Sequence, residues 1–327
     1  IANNIGQVST QSTHNLLAYI FSFIVCTAIA ISIMDGKELD TVFINTLLIF
    51  GVIYFFVYTI SFLLPAVFDN HFYYYMEISE TYAFRFNGLT NNPNQLSIIL
   101  AIAPFLCITM GKCGGKLKLI TSLILVTFFL IIGLHTRTEA LLVSWAAGLI
   151  VLLLPKIANK LFWTYKNNRV VVLGASSAII IAFVFAYVKY GVYSKLITAF
   201  NEVYLSDGNQ GNIRSNLIVN GLKSFTESPI VGLGPGSFSG DYGPFENREI
   251  HVTPLDWATQ TGSIGLALLI CLVGYAVLKT WKSRRLDLLA GMASLIIFAQ
   301  FHYILRQPIV WVFVVYLISL KPKKDGT

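Results

Sequence analysis

The chemistry available to this chain of 327 residues rests on five arginines, Arg85, Arg137, Arg214, Arg248 and Arg306, and on one histidine, His251. A guanidinium is a planar fork of donors that grips a phosphate at two points, which a lysine ammonium cannot do. His251 sits in Glu249-Ile250-His251-Val252-Thr253-Pro254-Leu255-Asp256-Trp257. A neutral imidazole there can take a proton from a sugar hydroxyl, and Asp256 is the carboxylate placed to orient it or to replace it as base. Arg214 follows Asp207-Gly208-Asn209-Gln210-Gly211 in the first turn of a helical pattern, where free N–H groups and the helix dipole favour anions. Arg85, Arg137 and Arg306 stand at the mouths of apolar runs, where an ionised side chain is costly and points to function. The plainer readings are a surface histidine, an exposed helical arginine and arginines that snorkel to the interface.

Other motifs carry less. Val231-Gly232-Leu233-Gly234-Pro235-Gly236-Ser237-Phe238 looks like a phosphate-cradling loop, but it lacks the Gly-Lys-Ser/Thr ending and a preceding strand. It reads as a turn that returns the chain to the membrane. Asp69-Asn70-His71 offers two metal ligands, which make no site. Cys26, Cys107, Cys113 and Cys271 are scattered and read as small core residues. His14, His71, His135 and His302 have no partner pattern. Phe72-Tyr73-Tyr74-Tyr75 reads as an interfacial aromatic belt, with stacking on sugar rings as the alternative.

These residues must be positioned by membrane helices. The chain is 55% hydrophobic and 12% charged, with a mean hydropathy of +0.68, which excludes a soluble enzyme, a disordered chain and a secreted disulfide scaffold. The expected fold is an all-α polytopic membrane protein with about nine transmembrane helices. They are Leu16–Met34, Thr41–Val67, Asn94–Met110, Leu119–His135, Thr138–Leu154, Val170–Val188, Thr259–Leu278, Asp287–Tyr303 and Ile304–Leu320. The last two form a nearly loopless hairpin turned at Arg306-Gln307-Pro308. Alternate loops sort by charge into fifteen basic and five acidic residues on one side, against eight and eleven on the other. The positive-inside rule puts the first set in the cytoplasm, so the net charge of +7 reports topology, not nucleic acid. The N-terminal tail then falls outside, which calls for an odd number of upstream spans if the native start is cytoplasmic.

Three parts follow: transmembrane helices over 1–189, a long periplasmic loop over 190–255 carrying part of the site, and transmembrane helices over 256–327. Two short amphipathic helices are expected in the loop. One rests on Tyr193, Leu196, Ile197, Phe200, Val203 and Tyr204, the other on Ile213, Leu217, Ile218, Gly221, Leu222 and Phe225, ended by Ser228-Pro229.

Three segments together resemble the O-antigen polymerase and ligase superfamily of bacterial envelope glycosyltransferases. They are Arg85-Phe86-Asn87-Gly88 with Asn92-Pro93-Asn94; Thr136-Arg137-Thr138-Glu139-Ala140-Leu141; and His251 followed by ten residues, Gly262 and then Gly265. Arg214 ahead of Glu227-Ser228-Pro229 and the glycine-rich turn also looks like that family's long outer loop. The resemblance runs from about residue 85 to residue 275. It implies metal-independent glycosyl transfer at the periplasmic face of the bacterial inner membrane, with a glycan linked to undecaprenyl diphosphate as donor and no cofactor. Arg137 and Arg214 would hold the diphosphate, with Arg85 and Arg306 as further ligands, and His251 would activate the acceptor hydroxyl. Family members often carry a polar residue, commonly Asn, where this chain has Val252, which keeps Asp256 in reserve as base. Membrane lipids, a chain-length regulator and a flippase are the expected partners. Asn92-Pro93-Asn94 and the Gly-Leu-Gly-Pro-Gly-Ser-Phe turn look more like a polymerase than a ligase. A lipid-linked sugar flippase or transporter is the alternative from another class. Transporters usually show inverted repeats and a mid-membrane ionisable group, and this sequence has no internal repeat and no acidic residue in mid-span.

Overall fold

The computed structural model describes residues 10–34, 39–64, 72–78, 81–112, 115–167 and 210–321. The elements are α1 (Thr10–Met34), α2 (Leu39–Leu63), β1 (Tyr73–Ile78), β2 (Thr81–Phe86), α3 (Pro93–Lys112), α4 (Lys116–His135), α5 (Glu139–Asn167), α6 (Gln210–Glu227), α7 (Thr253–Lys282), α8 (Leu286–Phe298) and α9 (Pro308–Ser319). The expected span Val170–Val188, the first amphipathic helix, the boundary at 189 and Asp69-Asn70-His71 lie outside the described residues.

Helices α1, α2, α3, α4 and α7 are long and apolar enough to cross a membrane, which makes this a mostly helical polytopic membrane protein. α3 is the central helix. It buries Leu96, Leu100, Ala101, Ile102, Phe105 and Cys107 and packs against α2, α4, α5 and α8. α1 packs on α9, and α9 on α7. Around this core, Phe23, Phe62, Leu123 and Leu268 are each more than half exposed, as side chains that face lipid should be. Of the described cysteines, Cys107 is buried, Cys26 half-buried and Cys271 exposed, so only Cys107 is the core residue expected.

Two expectations need correction. The aromatic run Phe72–Tyr75 leads into β1, which pairs antiparallel with β2 so that Tyr73 faces Phe86 and Ile78 faces Thr81. The aromatic-rich runs on either side of Ser79-Glu80 suit a pleated ribbon, and the fold is therefore not wholly α. The C-terminal hairpin is also not loopless. α8 stops at Phe298 and α9 restarts at Pro308, leaving 299–307 irregular. Proline cannot continue a helix and opens one readily. Thr253 of α7 replaces the lost ladder, its N–H donating to Ala299 O (2.8 Å) and its hydroxyl to His302 O (2.6 Å) while accepting from Ile304 N–H (3.1 Å). At 13 and 12 residues, α8 and α9 span about 20 and 18 Å, against a hydrocarbon core of about 30 Å.

At the end of the bundle away from these turns, Lys112 pairs with Asp287 (3.0 Å) and Arg285 with Asp40 (3.1 Å). The Thr109 hydroxyl meets Asp287 and the Tyr316 hydroxyl meets Asp40. These bonds tie α2, α3, α8 and α9 together.

Candidate active site

The first two sequence motifs form one structure. Arg85, on β2, donates from Nε to Thr136 O (2.9 Å) and from Nη2 to Asn94 Oδ1 (2.9 Å) and Thr138 Oγ1 (3.0 Å). Its guanidinium therefore straps the start of α3 to the α4–α5 turn. Between the two threonines stands Arg137, exposed and held at φ 48°. That is left-handed backbone, uncommon for a residue with a side chain and frequent at functional sites. The Arg137 side chain has no ion pair or hydrogen bond among the described residues, while its N–H donates to Leu134 O (3.1 Å).

The third motif is built by a break in α7. Gly262, at φ 67° and ψ −172°, interrupts the helix in a region essentially closed to other residues. Thr259 O and Gln260 O are thereby free to accept from Leu233 N–H and Gly234 N–H (2.9 Å each), while Ser263 N–H donates to Pro229 O (2.8 Å). The glycine-rich turn is thus a strap docked across a kinked helix. Across the kink, Gly265 O accepts from Trp257 Nε1 (3.0 Å). A methyl at Gly262 would collide with the Ile230 carbonyl. Gly262→Ala should cost at least about 3 kcal/mol through strain and clash together, read as an earlier thermal unfolding in detergent.

Below the strap, Asp256 is completely buried and both its oxygens are occupied. Oδ2 accepts from Ile250 N–H (2.9 Å) and Oδ1 from Gln260 Nε2 (2.8 Å). Asp256 therefore holds the backbone immediately ahead of His251 and is not an open base. His251 itself sits at φ 61° with its side chain 45% exposed. Its Nδ1 lies 4.0 Å from Glu249 Oε2, and the other Glu249 oxygen is ion-paired to Arg306 Nη2. Arg306 is further held by Asn15 Oδ1 (3.2 Å) and lies over the Tyr303 ring at 5.3 Å.

The four candidate diphosphate ligands therefore divide. Arg85 and Arg306 are engaged with protein groups. The side chains of Arg137 and of the exposed Arg214 of α6 make no ion pair or hydrogen bond among the described residues. The charge of Arg214 reaches both His251 and His302, and that of Arg85 reaches His302. The His302 and His251 ring centroids are 6.2 Å apart. Glu249 and His302 are the residues that sequence reasoning passed over. Glu249 had a signal, since residues two apart in extended chain share a side; His302 had none.

Partial desolvation of the half-exposed ring is the main force lowering the His251 pKa from its ordinary 6.5; Glu249 opposes it, and Arg214 and Arg306 push the same way. A reaction needing the neutral imidazole should then persist below pH 6.5 and fail only as pH drops through the lowered value. Glu249→Gln removes the one nearby charge that raises this pKa. The acid limb of its pH–rate profile should move to lower pH, and the maximal rate should fall about tenfold as imidazolium support is lost.

Residues 122–270 match the family model described as O-antigen ligase, a stretch that includes Arg137, Arg214, His251 and Gly262. The match supports placing the chain in the O-antigen polymerase and ligase superfamily, whose members are glycosyltransferase-like membrane enzymes. No curated protein matches the chain.

Proposed function

We propose that this protein is an O-antigen polymerase of the bacterial inner membrane, joining undecaprenyl-diphosphate-linked repeat units at the periplasmic face by metal-independent glycosyl transfer. The observation that carries the reading is the convergence of a carboxylate-backed histidine, His251 with Glu249, and an unengaged arginine, Arg214. Nε2 of neutral His251 accepts the proton of the acceptor sugar hydroxyl as its oxygen attacks the donor's anomeric carbon. The bond from that carbon to the phosphate oxygen breaks, and undecaprenyl diphosphate leaves with the electron pair. Arg137 and Arg214 stabilise the charge that develops there, and Glu249 supports the imidazolium. Asp256 and Arg85 act as positioning residues, the first for His251 and the second for the turn that bears Arg137.

The name of the matched family favours a second reading, an O-antigen ligase that moves a finished lipid-linked chain to lipid A–core. A lipopolysaccharide gel of a strain lacking the gene separates the two. Lipid A–core carrying one repeat is the polymerase result. Bare core, with long chains accumulating on the lipid diphosphate, is the ligase result.

A further inference from the structure

The turn that precedes His251 presents an aromatic ring for which the transfer step has no use. Tyr242 is 95% exposed, yet the loop beneath it is tightly anchored. Arg248 N–H donates to Ser239 O (2.9 Å), Arg248 pairs with Asp241, and the Phe238 and Phe245 rings meet edge to face with centroids 6.5 Å apart. From α6, Asn216 donates to Asp241 O (3.0 Å) and Asn220 to Gly240 O (2.8 Å). Phe245 and Asn247 both hold left-handed backbone, at φ 68° and 60°. Much local structure is thus committed to raising one ring into solvent.

From this geometry we infer that the loop 239–248 is a carbohydrate platform, on which Tyr242 stacks against a sugar ring of the glycan. A rigid aromatic face offers contact area at little entropic cost. Glu246, Asn247 and Arg248, exposed in the same loop, supply hydrogen-bonding groups suited to sugar hydroxyls. The exposed charges of Glu246 and Arg248 argue against insertion into lipid, where an ionised side chain is costly. Position fits as well. The loop runs straight into Glu249 and His251, and it is pinned to the helix that carries Arg214. The inference rests on the glycosyltransferase reading and adds to it a contact with the glycan itself, away from its diphosphate.

The probe is the oligosaccharide freed by mild acid from the lipid-linked repeat that accumulates when the gene is absent. Saturation-transfer NMR on the detergent-solubilised full chain should show its ring protons in contact with the protein. Tyr242→Ala should weaken that binding about tenfold, and Tyr242→Phe should change it less than about threefold, because the stacking face remains. In the assembly assay Tyr242→Ala should raise KM for the glycan and leave kcat nearly unchanged. Unaltered oligosaccharide binding in Tyr242→Ala would overturn the inference and leave the transfer mechanism standing. So would quenching of a fluorophore at Tyr242→Cys by spin-labelled lipid in phosphatidylethanolamine–phosphatidylglycerol vesicles, which would place the loop in the membrane. Glycan assembly at the normal rate in His251→Ala would count against the transferase reading, while loss of the contact in Tyr242→Ala would still support the platform.

Discussion

His251→Ala is expected to insert and fold normally and to assemble glycan at least about a hundredfold more slowly, the lower end of what a general base contributes. Normal folding is expected because the side chain is 45% exposed and its ring is not part of the buried core. The backbone strain at φ 61° remains in the variant, held by Asp256 through Ile250 N–H. Pulse-labelled lipid-linked glycan in isolated membranes gives the rate, and thermal unfolding in detergent checks the fold. Full activity with an unchanged pH profile would remove His251 from the base role.

The second large effect belongs to the unengaged arginines. Arg137→Ala and Arg214→Ala should each slow assembly about a hundredfold or more, the loss typical when one donor to a developing oxyanion is removed. Lysine at either position should recover only part of it, since it supplies charge without the two-point fork. Both side chains are exposed and make no ion pair or hydrogen bond among the described residues, so stability should hardly move. Arg85→Ala contrasts with them. It breaks three bonds that fix the Thr136–Thr138 turn, so it should lower stability as well as rate. The two classes of arginine are distinguished by reading melting temperature and turnover together.

How much of this was legible in the sequence depends on which force sets each feature. The long spans were readable, because about 20 apolar residues in a row have few other solutions. The helix over 210–227 was readable from its period, and Ser228-Pro229 marked its end. Arg137, Arg214 and His251 were singled out by residue type and spacing, and the family match over 122–270 contains all three. The division of labour among the arginines was not readable. Whether a guanidinium is engaged depends on carbonyls brought in from elsewhere, as Thr136 O is brought to Arg85. Asp256 illustrates the same limit: its place five residues after the histidine marked it as an orienting group or base, and bonds from Ile250 N–H and Gln260 Nε2 make it a buried anchor for the backbone. The β1–β2 ribbon and the irregular 299–307 segment escaped because hydropathy treats an aromatic strand, a belt and a helix end alike. Thr253, which stabilises that segment with three bonds, lies in another helix altogether.

A polymerase must itself join one lipid-linked repeat to another. The most direct measurement supplies the purified full-length protein, in liposomes without metal or nucleotide, with the undecaprenyl-diphosphate-linked repeat as sole substrate. The account predicts lipid-linked dimers and longer chains, one undecaprenyl diphosphate released for each bond formed, and neither product from His251→Ala. Products that appear only after lipid A–core is added would contradict polymerisation and make the enzyme a ligase.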